Sequence, residues 1–174
     1  AAFLLADVFG ERFDEIAAAM DRSVESCRQL ASRARRKLRD AEQARRDEQQ
    51  AAAAVAQRFL LALAAGDAAT AVACLAPEAV YLSDGGPDRH AARRPVRIPE
   101  RIVRLLINVY GRFPERFTFV PAWVGGYPGL VVTDGDRTIY TVSCEVVDGR
   151  IARITTVLNP TKLRGLERSP ANLE

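Results

Sequence analysis

The chain has one histidine, His90, among its 174 residues. A zinc or iron centre built from several imidazoles is therefore excluded. Cysteine is scarce as well: Cys27, Cys74 and Cys144 are odd in number, far apart and set in periodic apolar segments. They read as reduced, mostly buried thiols of a cytoplasmic protein, not as a disulfide framework or a metal site, and no cofactor is implied. No apolar run has the unbroken length of a membrane span, and Ala1–Phe9 lacks a signal peptide's basic start. There is no initiator Met before Ala-Ala-Phe-Leu-Leu, which reads as the start of a fragment of a longer protein. An excess of one charge is missing too. The 25 Lys and Arg against 22 Asp and Glu leave a net charge of +3, which by itself names no partner.

What the chain does have is a core's worth of apolar residues, 48% of the total, enough for one large or two small domains. It also has one basic stretch: Arg28, Arg33, Arg35, Arg36, Lys37 and Arg39 lie close together, while acids are spread along the sequence. Such a stripe is either a solvated helix face or the electrostatic footprint of a phosphate-binding helix.

Residues 1–40 predict three helices. Phe3, Leu4, Leu5 and Val8 make the apolar face of the first, and Gly10 ends it. Asp14 stands as N-cap of the second, with Ile16, Ala17 and Met20 inward. After the turn Asp21-Arg22-Ser23, with Ser23 as N-cap, the third runs from Val24 to Arg39 on a stripe of Cys27, Leu30, Ala31, Ala34 and Leu38. A short helix, a three-residue turn and a longer basic helix is the helix-turn-helix layout. Ser26, Arg28, Gln29 and Ser32 would then meet base edges, with Arg33 on the same outer face. Arg35, Arg36, Lys37 and Arg39 would lie nearer phosphates, and Arg22 and Ser23 could touch the backbone from the turn.

Residues 41–50 are charged and Gln-rich, helix-forming but unable to bury themselves, and read as a linker. From 51 to about 166 a second domain follows, with a tail at 167–174. Its expected elements are a helix through Val55, Phe59, Leu60 and Leu63 ended by Gly66, and a second capped by Asp67 and stopped by Pro77. A strand at Val80–Leu82, a loop from Ser83 to Pro95 and a helix from Pro99 to Gly111 come next. The rest predicts antiparallel strands, the last two joined by Asp148-Gly149 in a type I′ turn. In the simplest register Glu145 faces Ala152 and Cys144 faces Arg153, so neither face is cleanly apolar. The fold class is α+β: an all-α helix-turn-helix, then helices on a curved antiparallel sheet.

The first segment resembles region 4 of extracytoplasmic-function sigma factors. Phe13, Glu15, Ile16 and Ala17 match its (F/Y)-x-E-I-A motif, and Arg33, Ala34, Arg35 and Leu38 its R-A-R-x-x-L ending. The resemblance implies binding to the promoter −35 element through the third helix and contact with core RNA polymerase through another surface. Region 2, which in such factors opens the −10 element, would be a further partner outside this sequence.

The remainder resembles SnoaL-like cone domains of the nuclear-transport-factor superfamily, more narrowly those fused to one sigma-factor group. Ser83-Asp84-Gly85-Gly86, Ala91-Ala92-Arg93-Arg94-Pro95 and Asn159-Pro160-Thr161-Lys162-Leu163 carry the match. In that group the extension is a built-in regulator packed against the sigma regions, which implies an interdomain role for Asp84, Gly85, Gly86, Arg93, Arg94, Asn159, Pro160, Lys162 and Leu163. Two departures stand out. Pro87 and Asp88 replace the Gly and Lys of Asp-Gly-Gly-Gly-Lys, and Thr161 replaces the acid of Asn-Pro-Asp-Lys-Leu. Relatives of the cone include isomerases, cyclases and hydrolases, so the alternative is a small-molecule-binding protein or such an enzyme. Tyr81, Trp123, Tyr140 and Glu145 are the candidate pocket residues, with Asp84 and His90 the other titratable candidates. Cones of this type also pair through their sheets, which makes a homodimer a further expectation.

Overall fold

The structure, a computed structural model, describes residues 1–87, 91–92 and 94–164. His90, Asp88, Arg93 and the 167–174 tail lie outside the described residues. The chain divides into two compact units, Ala1–Glu48 and Gln49–Glu174.

The first unit holds α1 (Ala2–Asp7), α2 (Phe13–Met20) and the beginning of α3 (Val24–Ala65). Its buried core is Ala2, Ile16, Ala17 and Cys27, flanked by Leu5, Ala6, Phe13, Met20 and Val24. Ala2 and Ala17 are both buried in this core, small residues where α1 and α2 meet. Two expected apolar faces are narrower than the periodicity implies. In α1 the inward side is Ala2 with Leu5 and Ala6, while Leu4 and Val8 are exposed. In α3 Cys27 and Ala31 are fully buried, but Leu30 and Leu38 are exposed. Helix α2 starts two residues earlier than the Asp14 cap predicts. Glu15 sits at N3 and its Oε2 accepts from the Arg12 amide at 3.3 Å, making Arg12 the N-cap. Ser23 does cap α3, its Oγ accepting from the Ser26 amide at 3.1 Å. Between the two, Asp21 takes a left-handed φ of 50° that ends α2 and turns the chain.

The second unit packs the end of α3, α4 (Ala68–Ala73) and α5 (Pro99–Tyr110) on a six-stranded sheet. Its strands are β1 (Leu75–Asp84), β2 (Val96–Arg97), β3 (Phe117–Val124), β4 (Tyr127–Asp134), β5 (Arg137–Val147) and β6 (Arg150–Val157), with α6 (Pro160–Leu163) closing the described chain. The order is β2-β1-β6-β5-β4-β3. The sheet is mixed and not antiparallel throughout, because β1 runs parallel to β6. Strand β1 is also longer than Val80–Leu82. It begins at Leu75 and contains Pro77, with a register shift between Leu75 and Val80 that accommodates the missing amide. Helix α4 therefore ends at Ala73, before Pro77. Strand β2 falls just after the expected Ser83–Pro95 loop, before the helix at Pro99, and is too short for periodicity to reveal.

The Asp148-Gly149 turn has the positive φ values, 50° and 71°, of a type I′ hairpin. Beyond it the simplest register fails. A bulge between Glu145 and Val146 makes Cys144 face Ile154 and Glu145 face Arg153. The slip sorts the two faces: Cys144 and Ile154 are both fully buried, while Glu145 and Arg153 form an ion pair at 3.2 Å. Without it Cys144 would sit opposite an arginine. Further along the sheet β4 and β5 approach so closely at Gly129 that a Cβ there would lie 1.9 Å from the Val142 carbonyl oxygen.

Candidate nucleic-acid interface and candidate cavity

In the first unit α3 presents its polar side chains to solvent. Arg22, Ser23, Arg28, Gln29, Ser32, Arg33, Arg36 and Lys37 are all exposed, and Ser26 is half-buried. They do not share one line. At ~100° per residue, Gln29, Arg33 and Arg36 fall within about 60° of each other, opposite Cys27 and Ala31, with Ser32 beside them. Arg28 lies roughly 100° round from Gln29, nearer the core edge. There its guanidinium stands 5.8 Å from the Phe13 ring centroid, a cation–π contact with the start of α2. Gln29 is held by Glu25 at 3.3 Å, a surface contact that a better partner can replace.

Arg35 is the residue that the basic run misplaces. It does not extend toward solvent with Arg36. Its Nε and Nη2 donate to both carboxylate oxygens of Asp7 at 2.7 and 2.6 Å, joining residues 28 apart in sequence. The Arg35 hydrogen bonds hold the Asp7 carboxyl below its usual range. One of the R-A-R arginines is thus structural, and only the other faces outward.

In the second unit the sequence motifs meet each other. Lys162 Nζ lies 2.7 Å from Asp84 Oδ2, and Asp84 Oδ1 accepts from the Gly86 amide at 2.9 Å. The Asp84 carbonyl accepts from the amides of Leu158 and Asn159. Asn159 caps α6 by accepting from the Thr161 amide at 3.1 Å, and Leu163 is buried, with α6 against β5. Gly86 has a φ of 61°, and a Cβ on it would meet the Asn159 side chain at 2.8 Å. The Lys162 hydrogen bond is the first cause of a lowered Asp84 pKa. Asp84 is therefore paired with Lys162, and not with Arg94, which is exposed. Gly85 is buried in the same corner and Pro160 is the first residue of α6. The Thr161 departure leaves this clasp intact because only its backbone takes part.

A separate cavity of about 350 Å³ opens between α3, α5 and the sheet. Tyr81 and Tyr140 line it, together with Tyr110 and Thr156. Trp123 does not. It lines a second, larger groove of about 670 Å³ between the end of α3 and β3–β4, with Phe119 and Leu61. Glu145 lines neither, being committed to Arg153. Burial raises the Tyr110 and Tyr140 phenols well above their usual range and pushes the Cys144 thiol up to about 12. At neutral pH these groups are proton donors, not bases. A carboxylate that could work with them is absent among the described residues lining the cavity. Periodicity could not find Tyr110: it is the last residue of an amphipathic helix, and only the fold turns it inward.

A helix-turn-helix with an outward basic face and an α+β unit enclosing a cavity are thus both present. Residues 1–38 match the family model for Sigma-70, region 4. The chain is 31% identical to the ECF RNA polymerase sigma factor SigJ of Mycobacterium tuberculosis, over 94% of its own length and 56% of that protein. The crystal structure of the same organism's extracytoplasmic function sigma factor SigJ matches with a TM-score of 0.55 at 30% identity, over 97% of this chain and 59% of that one. An LEH-like epoxide hydrolase of M. tuberculosis matches at 21% identity and a TM-score of 0.43, over 67% of this chain and 88% of that one. Residues 1–38 thus match a Sigma-70 region 4, and the chain as a whole is similar to an extracytoplasmic-function sigma factor. It spans a little over half the length of the sigma factor it matches. No helix among the described residues is long and apolar enough to cross a membrane.

Proposed function

We propose that the first unit binds promoter −35 DNA and core RNA polymerase in transcription initiation, and that the second unit regulates it. The carrying observation is the solvent-facing set Gln29, Ser32, Arg33 and Arg36 on a capped helix whose opposite side is sealed by Cys27 and Ala31. Gln29 and Arg33 read base edges, Arg28 joins them by leaving Phe13, and Arg36 and Lys37 neutralise phosphates. Exposed Leu4, Val8 and Phe9 supply an apolar surface for the polymerase. The protein works in the cytoplasm, alongside its own region 2, and its three cysteines are free and buried. Asp84, Gly86, Asn159, Lys162 and Leu163 serve regulation by fixing one geometry of the corner that also carries Arg94.

Fluorescence anisotropy with a duplex selected by the chain from a random pool tests the DNA assignment. Gln29→Ala and Arg33→Ala relax base preference. Arg36→Ala and Lys37→Ala weaken every sequence alike, each lowering the salt slope by about 1. Equal losses on all sequences for all four variants would remove the base-reading assignment.

A second reading, that the cone receives a small molecule, is favoured by the cavity itself. Saturable uptake of the neutral dye phenylnaphthylamine by the full chain, abolished when Leu106→Trp fills the cavity, is the expected result. Pairing of two cones through the β3–β4 side, where Val120 and Tyr127 are exposed, is the remaining partner proposal, and sedimentation velocity tests it.

A further inference from the structure

A second basic stretch lies in the second unit. From Arg89 to Arg112 the sequence holds seven arginines and a single acid, Glu100. Arg89 and Arg93 lie outside the described residues, while Arg94, Arg97, Arg101, Arg104 and Arg112 are all exposed. Ile98, with a left-handed φ of 74°, is the only residue between β2 and α5, and it turns the chain directly from Arg97 into the first turn of the helix. The buried side of α5 is Ile102, Val103 and Leu106. At ~100° per residue Arg101, Arg104 and Asn108 fall within about 60° of each other on the opposite side. Gly111 keeps right-handed helical angles and Arg112 donates its amide to the Val109 carbonyl, so Arg112 continues their line one turn on. None of these arginines takes part in an ion pair among the described residues, and neither does Glu100.

Resting on the DNA-binding reading of the first unit, we propose that this face of α5, with Arg97 at its head, binds the phosphate backbone of duplex DNA flanking the segment that the first unit reads. Arginine forks match phosphate oxygens and keep their charge at any working pH. The line runs about 10 Å from Arg101 to Asn108, the axial length of roughly three phosphates on one strand. It carries no apolar side chain. Interfaces between proteins centre on apolar and aromatic anchors, whereas those with a duplex are polar and strongly positive. Neither hollow of the unit is lined by any of these arginines, so the surface is open to an extended polyanion and offers no enclosure for a compact one. Because both units belong to one chain, a duplex held by the first presents its flanking phosphates to the second at high local concentration. Such contacts add affinity and fix position without reading bases.

Fluorescence anisotropy of the full chain on its selected segment, set in a duplex with random flanks on both sides, tests this. Glutamine has a helix propensity close to that of arginine, so Arg101→Gln with Arg104→Gln removes two charges and leaves the helix intact. This double variant is expected to lower the slope of log affinity against log salt by about 2, with base preference and melting temperature unchanged. Arg137→Gln with Arg150→Gln removes the same charge from exposed positions elsewhere in the unit and is expected to keep the wild-type slope. A wild-type slope in the α5 variant, while Arg36→Ala still lowers it, would overturn the inference and leave the reading of the first unit standing. Equal losses from the two double variants would also overturn it, by marking an effect of net charge alone. A lowered slope in the α5 variant, combined with no base preference in the wild type, would keep the phosphate surface and remove the −35 reading. If the α5 variant binds DNA as before but no longer retains core RNA polymerase in a pull-down, the face serves an acidic protein partner and the inference falls.

Discussion

The two units handle polar groups in opposite ways. In the first, Gln29, Arg33 and Arg36 stand in water over a thin core of Ala2, Ile16, Ala17 and Cys27. In the second, a broad core that includes Phe59, Leu63, Ile102, Ile151 and Ile154 surrounds hydroxyls that reach no partner. The same contrast separates the two main ion pairs. Arg35–Asp7 joins helices that have few other large contacts, whereas Lys162–Asp84 trims a corner already fixed by backbone bonds.

The contrast predicts unequal stability. Gly129→Val is expected to have the largest effect, since its side chain would be driven into the Val142 backbone. A loss of about 3 kcal/mol or more in the transition of the second unit, read by urea unfolding, is the expected outcome. Ile16→Ala comes next and strikes the other unit, costing about 2–4 kcal/mol. With so thin a core that is enough to melt the three helices, seen as lost amide protection over residues 1–38 while β5 and β6 stay protected. If instead both substitutions move one common transition, the two units are not the independent bodies that their separate cores imply.

The smallest effect belongs to the clasp. Asp84→Asn is expected to lower the melting temperature by a few degrees and to remove an acid-dependent component of stability. The sign follows from the Lys162 hydrogen bond, which depresses the Asp84 pKa below its ordinary 3.8 in the folded chain. The contribution is thus present above that ordinary value and fades as the pH falls through the folded one. A wild-type and Asp84→Asn pair with parallel stability profiles between neutral pH and pH 3 would show the clasp to be cosmetic. At the alkaline end the raised Tyr110 and Tyr140 pKa values predict the opposite slope, with stability declining as the pH climbs past their ordinary 10.0.

The helix-turn-helix was readable in the sequence because each of its signals is local: Ser23 as cap, the short turn Asp21-Arg22-Ser23, and Cys27 and Ala31 one helical turn apart. So was the Asp148-Gly149 hairpin, whose turn chemistry needs no distant partner. The fate of Arg35 was not, since its partner Asp7 is remote in sequence and nothing in a run of arginines marks the one that turns inward. Nor was the β5–β6 bulge. It is decided by which neighbours Cys144 and Glu145 find across the sheet, a cost that exists only once the helices cover one face. The parallel pairing of β1 with β6 escaped notice for the same reason, since alternation along a strand says nothing about its neighbour's direction.

The candidate site divides along that line. Sequence alone determined that one helix would carry an outward basic face and that an α+β unit would follow, because periodicity, capping and turn chemistry act over a few residues. Tertiary structure alone decided that Asp84 and Lys162 bind each other, that Trp123 and Tyr140 line different hollows, and that Tyr110 joins Tyr140 and Thr156 around one cavity. Those outcomes depend on which distant segments the sheet brings within hydrogen-bonding reach, and that is a property of packing and not of order along the chain.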